Sequence, residues 1–215
     1  MVIEVGEGPI SAVRPLRGRG TSHDAKVLRP SGEVERLLLV MWADLEAQEG
    51  STHSQEPPGP WISAGRVYAE HVYTRLFGET ADHRVRDLPS GLPRGTWPWT
   101  AFEQVGLPHT DWEYLDRFEE PVFFGIPHTD ANMHVNSLVY PRILEERALA
   151  KMGLEGVDLA GRTVEMMWRK PFFAGETAVL HVERFRDGER LWVCARFVDS
   201  MNADRCRMQI GRAHV

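Results

Sequence analysis

The sequence predicts an α+β fold for the C-terminal half of the chain, with one long helix packed across an antiparallel sheet. A short strand pattern, EPVFFGIP, comes first and is followed by a helical pattern, NSLVYPRILEERALAKMG. Four strand patterns with glycine turns between them then follow: TVEMMWRK, TAVLHVERF, RLWVCARFV and DRCRMQ. A single helix in this position can bury its apolar face only against the sheet that these strands form.

Local signals support each of these elements. Asp187-Gly188 is a dipeptide typical of a tight hairpin turn, and Gly153 is a suitable residue for the end of the helix. The apolar face of the helix is predicted to consist of Leu138, Ile143, Leu144, Leu149 and Met152.

The N-terminal half also begins with strand patterns. AKVLRP and EVERLLLVMWADL flank a Ser31-Gly32 turn and predict a hairpin. A helix is expected from Ser63 to Phe77, because Val67, Tyr68, Val72 and Leu76 recur at roughly helical spacing before Gly78. The expected organisation is a β-rich half with one helix at residues 1–115, then a domain at 116–210.

Composition narrows the class of protein. The 215 residues are 42% hydrophobic, with no apolar run long enough for a membrane helix, and a net charge of -6 that argues against a nucleic-acid partner. Two cysteines are too few for a disulfide framework, and the start lacks the features of a signal peptide, so a cytoplasmic location is expected. The glycines of RGRGTSH do not follow a strand-to-helix turn, so no nucleotide cofactor is predicted.

The final hexapeptide, IGRAHV, matches the translation of a common sequencing-adapter stretch. Residues 211–215 are therefore predicted to be a non-native tail. On this interpretation the chain is a gene fragment.

Polar side chains alternate on the loop before the long helix. Asp130, Asn132, His134 and Asn136 occupy every second position, and Tyr140 lies one helical turn further on. Histidine can act as a general base near neutral pH, a carboxylate can orient it, and carboxamides with helix N-terminal amides can stabilise an oxyanion. The same residue types are also good turn formers and N-caps, and a weaker metal-site hypothesis uses His128, Asp130 and His134.

The segment TDANMHVNSLVYPRILEE resembles the D-x-N-x-H-V-N-N-x-x-Y motif of acyl-acyl-carrier-protein thioesterases, and more loosely that of 4-hydroxybenzoyl-CoA thioesterase-like proteins. The resemblance implies a hotdog fold, in which a curved antiparallel sheet wraps a long helix. It implies Asp130, Asn132 and His134 as catalytic residues, with Asn136 and Tyr140 supporting the helix start and the substrate site. An acyl-CoA or acyl carrier protein would be the partner.

The chain departs from this motif at several positions. Ser137 replaces the second asparagine, and Pro171 and Phe172 occupy the place of a Glu-Cys pair on the following strand. Transfer of an acyl group, hydration or dehydration of an enoyl thioester, and acyl-thioester binding without turnover therefore stay open beside hydrolysis. The Asp130-to-His134 spacing favours the thioesterase over the hydratase branch of hotdog proteins.

The tetrapeptide PHTD occurs twice, at Pro108 and at Pro127, but only the second copy precedes the His-x-Asn pattern. The resemblance implies that hotdog units act in pairs, either as a homodimer or as an internal pseudo-dimer. A tandem or degenerate double hotdog is therefore expected, whose first strand and helix would lie upstream if Met1 is an internal start.

Overall fold

A computed structural model describes residues 1–6, 15–50, 57, 59–75, 83–97, 105–152 and 163–212. The chain divides into two compact units, Met1–Glu103 and Gln104–Val215. We refer to them as the first and the second unit. The division lies earlier in the sequence than the expected boundary at residue 115.

The first unit is a mostly antiparallel sheet. Its strands are β1 (Val2–Val5), β2 (Leu16–Leu28), β3 (Val34–Gln48), β4 (Trp61–Val72) and β5 (Gly95–Trp97). Strands β2, β3 and β4 form a meander, β1 pairs with β4, and the short β5 lies parallel to β2. The predicted hairpin is confirmed by the pairing of β2 with β3.

Alternate residues of this sheet form the core of the first unit. Ala25, Val27, Leu38 and Val40 are completely buried, and Trp42 and Tyr68 pack against them. Directly paired residues of neighbouring strands share one face, so the pairs Ala25–Leu38 and Trp42–Tyr68 build one apolar surface.

The predicted helix from Ser63 to Phe77 is wrong, because strand β4 occupies Trp61–Val72. The pairing shifts by one residue where Leu45 lies opposite Gly65 and Glu46 opposite Ser63, so Ala64 is an extra residue in a β-bulge. Val67 and Tyr68 follow the bulge, lie on opposite faces of the strand and are both half-buried, so apolar residues from two faces resemble a helical pattern. The end of the predicted helix, with Leu76, Phe77 and Gly78, lies outside the described residues.

Replacing Gly65 with alanine is expected to destabilise the first unit by about 2 kcal/mol or more. Gly65 has a φ of +137°, and an added Cβ would lie 2.1 Å from the carbonyl oxygen of Glu4 on the paired strand. The matched control is Gly32→Ala, since Gly32 also has a positive φ, +85°, but has open space around it. Urea unfolding midpoints would test this, and equal losses in the two variants would contradict it.

The second unit contains the predicted strand, the helix and the four later strands. Its elements are β6 (Glu113–Phe123), a 3₁₀ turn (Ile126–His128), α1 (Val139–Met152), β7 (Thr163–Trp168), β8 (Thr177–Asp187), β9 (Arg190–Val198) and β10 (Asp204–Arg212). The antiparallel strand order is β6-β8-β9-β10-β7, in which β8, β9 and β10 form a meander and β7 pairs with β10. Strand β10 thus includes Gly211 and Arg212 of the predicted tail, and residues 213–215 lie outside the described residues.

One face of this sheet packs against α1. The ring of Tyr140 meets the ring of Phe197 on β9 edge to face, with centroids 5.1 Å apart. Arg147 of the helix forms an ion pair with Glu120 of β6, with 2.9 Å between nitrogen and oxygen. This arrangement of one helix against a five-stranded antiparallel sheet is that of a hotdog fold.

The helix face differs in part from the prediction. Ile143 and Leu144 are buried as expected, whereas Leu138 is 60% exposed and precedes the helix. Tyr140 and Ala148 complete the buried stripe, since positions 140, 144 and 148 follow each other at one-turn spacing. The side chains of Leu149 and Met152 and all of Gly153 lie outside the described residues.

The segment before β6 packs against β9, which explains why the second unit begins before residue 115. The ring of Trp112 stacks on Trp192 of β9, with centroids 4.7 Å apart and an interplanar angle of 17°. The ring of His109 also lies against Trp112, with centroids 4.7 Å apart. The first PHTD copy therefore belongs to a packing segment.

Candidate active site

The loop between β6 and α1 carries the residues that the sequence singled out. We call residues 124–138 the candidate loop. The β7–β8 loop, residues 169–176, lies beside it: Phe124 N–H donates to the Glu176 carbonyl at 2.9 Å, and Gly175 N–H donates to the Phe124 carbonyl at 2.8 Å. Val135 N–H also donates to the Phe172 carbonyl at 2.8 Å. Backbone hydrogen bonds thus hold the two loops together.

Asp130 closes a turn within the candidate loop. Its Oδ1 accepts hydrogen bonds from the backbone N–H groups of Asn132, at 2.8 Å, and His134, at 3.1 Å. The backbone of Asp130 and His134 pairs as well, through Asp130 N–H and the His134 carbonyl at 2.8 Å. The expected extended alternation from 130 to 134 is therefore interrupted by a turn, in which Met133 has a φ of 63°.

The imidazole of His134 lies against an aromatic ring of the neighbouring loop. Its centroid is 5.0 Å from that of Phe173, in an edge-to-face arrangement, and the two residues also form an isolated backbone bridge. His134 is half-buried, whereas Asp130 and Asn132 are exposed. The structure therefore fixes one side of the imidazole and leaves the rest of the residue partly open to solvent.

Asn136 caps the start of the helix. Its Oδ1 accepts from Leu138 N–H and its backbone carbonyl accepts from Val139 N–H, both at 3.0 Å. These two amides are consequently engaged and are not available to bind an oxyanion. The carboxamide NH₂ group of Asn136 is a donor that this capping interaction does not use.

Tyr140 lies in the core. Its side chain is completely buried, packs against Phe124 and Phe197, and its hydroxyl accepts a 3.5 Å hydrogen bond from Phe172 N–H. Burial raises the pKa of this phenol above its usual value. Tyr140 thus packs the start of the helix against the core. Its side chain is too deeply buried in this conformation to contact a ligand.

Large apolar side chains on and beside the two loops are exposed. An exposed group of this kind commonly marks a surface that binds an apolar ligand or another protein. The residues are Phe123, Ile126, Met133, Leu138 and Phe173, with exposed fractions between 41% and 72%.

Sequence reasoning missed the contribution of the β7–β8 loop. It treated Pro171 and Phe172 only as departures from a motif, although Phe172 is buried and Phe173 touches His134. Glu176 of this loop binds Arg205, which lies 29 positions further along the chain, so no local sequence signal indicates the pair.

The alternative chemistries find less support at these residues. His128 Nδ1 accepts from Gly125 N–H at 3.2 Å, and among the residues that the structure describes no cluster of His, Cys, Asp or Glu could hold a metal ion. Burial raises the pKa of the Cys194 thiol to about 12, as expected for a packing residue that is not a nucleophile.

No helix in the described part of the chain is long and apolar enough to cross a membrane.

Solved structures similar to this chain include thioesterases. A 1,4-dihydroxy-2-naphthoyl-CoA thioesterase from Synechocystis matches with 11% identity, a TM-score of 0.41, and coverage of 45% of this chain and 80% of the other. A Lactobacillus plantarum protein provisionally named an oleoyl thioesterase matches with 15% identity, a TM-score of 0.47, and coverage of 93% and 77%.

The chain is similar to hotdog-fold thioesterases. A Streptococcus mutans protein bound to acetyl-CoA is similar too, with 7% identity, a TM-score of 0.41, and coverage of 50% of this chain and 91% of the other. No protein-family model matches the chain, and no curated protein matches its sequence.

Proposed function

We propose that this protein hydrolyses acyl thioesters at the candidate loop, with His134 as the general base. The observation that carries the proposal is the placement of this imidazole on the loop before α1, against Phe173 and among exposed apolar side chains. The imidazole is suited to the reaction at the thioester carbonyl, and the apolar side chains are suited to bind the acyl chain.

The reaction requires a water molecule and a single proton carrier. His134 takes a proton from water as the oxygen attacks the thioester carbonyl carbon, and the carbonyl π electrons move to its oxygen. The C–S bond then breaks as the carbonyl reforms, and the departing sulfur receives the proton. The products are a carboxylic acid and a free thiol.

The other candidate residues have distinct roles in this proposal. Asp130 holds the turn through the amides of Asn132 and His134, and thus fixes the backbone position of His134. The carboxamides of Asn132 and Asn136 supply N–H donors for the oxyanion. Asn136 and Tyr140 fix the start of the helix, and the exposed apolar residues accommodate the acyl group.

The carrier of the acyl group is either coenzyme A or an acyl carrier protein. Both present the acyl chain as a thioester on the same pantetheine arm, so the loop chemistry is shared. The two-cysteine composition fits a reducing, cytoplasmic setting.

A second candidate function is kept because the glutamate of the motif is replaced here. Pro171 stands in its place and carries no ionisable group, and Phe172, in the place of the cysteine, is buried. An imidazole without that carboxylate can also remove a proton next to a thioester carbonyl, which is the chemistry of an enoyl-thioester hydratase or dehydratase.

One set of assays separates these candidates. Purified protein is given short, medium and long acyl-CoA and acyl-carrier-protein substrates, and thiol release is followed with a chromogenic disulfide. Thiol release supports hydrolysis. Loss of enoyl absorbance without thiol release indicates hydration, and saturable binding without either reaction indicates a binding module.

We also propose that the chain is a tandem or degenerate double hotdog, in which the described part of the first unit contributes a sheet without a helix. In the first unit, β1 precedes a three-stranded meander and pairs with its last strand, β4. In the second unit, β7 precedes the meander β8, β9 and β10 and pairs with its last strand in the same way. The outer edge differs: β5 in the first unit is parallel to its neighbour, and β6 in the second is antiparallel.

A further inference from the structure

We propose that Arg205 and Glu176 are positioning residues that fix His134 through the β7–β8 loop. The inference rests on the proposed function only in its kinetic consequence. No motif or comparison points to either residue, and both lie outside the candidate loop. Three sets of contacts connect them to the imidazole.

Arg205 on β10 binds several parts of the second unit at once. Its Nε donates to Asp199 Oδ2 at 2.9 Å, and its Nη1 donates to Glu176 Oε2 at 3.0 Å and to the Pro171 carbonyl at 3.1 Å. Its guanidinium also lies over the ring of Phe172, 4.8 Å from the centroid. The side chain is only 17% exposed, so these interactions are weakly screened by solvent.

Glu176 links Arg205 to the backbone of Phe173 in the β7–β8 loop. The oxygen that binds Arg205, Oε2, also accepts from Phe173 N–H at 2.9 Å. The carboxylate therefore ties the backbone of Phe173 to the guanidinium. A planar guanidinium can serve this set of acceptors simultaneously, whereas a lysine ammonium lacks the fork geometry.

The loop in turn contacts the candidate loop at two points. Phe172 supplies the carbonyl that binds Val135 N–H, and Phe173 supplies the ring against which the imidazole of His134 lies. Loss of the Arg205–Glu176 pair would remove the support of the Phe173 amide and thereby shift the Phe173 ring against the imidazole of His134. A displacement of about 1 Å at a catalytic group can cost roughly 10²-fold in rate.

An ion pair that contributes only to stability would behave differently. Arg184 on β8 provides the matched comparison, because it is 20% exposed and binds Asp116 through both Nε and Nη2. Asp116 lies on β6, and none of the contacts that Arg184 makes with it involves either loop. Arg184→Gln thus removes a comparable pair that joins β8 to β6 and belongs to neither loop.

The test compares Arg205→Gln, Glu176→Gln and Arg184→Gln by NMR of the histidine ring signals, with the His134 signal assigned from a His134→Gln variant. We expect both loop variants to shift the His134 ring signal, because the Phe173 ring moves, while Arg184→Gln leaves it unchanged. In turnover, kcat is expected to fall roughly 10-fold or more with a smaller change in KM.

An unchanged His134 signal in folded Glu176→Gln and Arg205→Gln would overturn the proposal. Glu176 is 37% exposed, so its isosteric variant tests the pair even if Arg205→Gln fails to fold. The ring signals require no substrate, and the positioning role is therefore measured independently of whether the protein hydrolyses thioesters.

Discussion

Replacing His134 with glutamine is expected to lower kcat/KM for thioester hydrolysis by about 10²–10⁴-fold, the usual contribution of a general base. Glutamine keeps a polar side chain of similar reach but cannot accept a proton near neutral pH. The backbone N–H of residue 134 still donates to Asp130 Oδ1 in the variant, so the turn is retained. Thiol release from the best acyl substrate measures the effect.

The matched control is His181→Gln. His181 lies on β8, is 21% exposed, and pairs with Glu119 at 2.9 Å on the neighbouring strand β6. Its loss removes one histidine from the same unit without changing either loop. Full activity in the His134 variant would exclude this residue as the base, and equal losses in both variants would indicate a general effect on folding.

Asp130→Asn separates charge from geometry at the same site. The carboxamide oxygen can still accept from the amides of Asn132 and His134, whereas alanine cannot. If Asp130 acts by holding the turn, the asparagine variant keeps most of the activity that the alanine variant loses. Similar losses in both would instead assign a direct role to the carboxylate charge.

Replacing Tyr140 with alanine is expected to destabilise the second unit by about 3–5 kcal/mol, as for other large aromatic residues removed from a core. The ring is completely buried and joins α1 to the sheet, with centroids 5.7 Å from Phe124 and 5.1 Å from Phe197. Hydrogen exchange of the slowest amides in β8 and β9 reports the free energy of unfolding of this unit.

Tyr140→Phe is the control for this substitution. It preserves the ring and removes only a hydroxyl whose single described hydrogen bond, from Phe172 N–H, is long at 3.5 Å. A loss of about 1 kcal/mol is expected. If alanine costs no more than phenylalanine, the ring does not hold the helix against the sheet.

Local patterns in the sequence determined the second unit well. The meander follows from alternating apolar residues and from turns such as Asp187-Gly188, and the helix follows from a stripe that includes Ile143 and Leu144. These signals are short-range, because each depends on neighbours within a few positions. The loop motif likewise located Asp130, Asn132, His134 and Asn136, which lie within seven positions.

Tertiary structure alone decided the remaining features. Strand β4 looks helical in sequence because Val67 and Tyr68, on opposite faces, are both half-buried, and only the pairing with β3 shows that the segment is a strand. The loop at Asp130 folds into a turn because its carboxylate binds two backbone amides, which alternation cannot indicate. The β7–β8 loop is held by Arg205 of β10, which binds the Pro171 carbonyl and Glu176, and only the folding of the chain brings this distant residue to the loop.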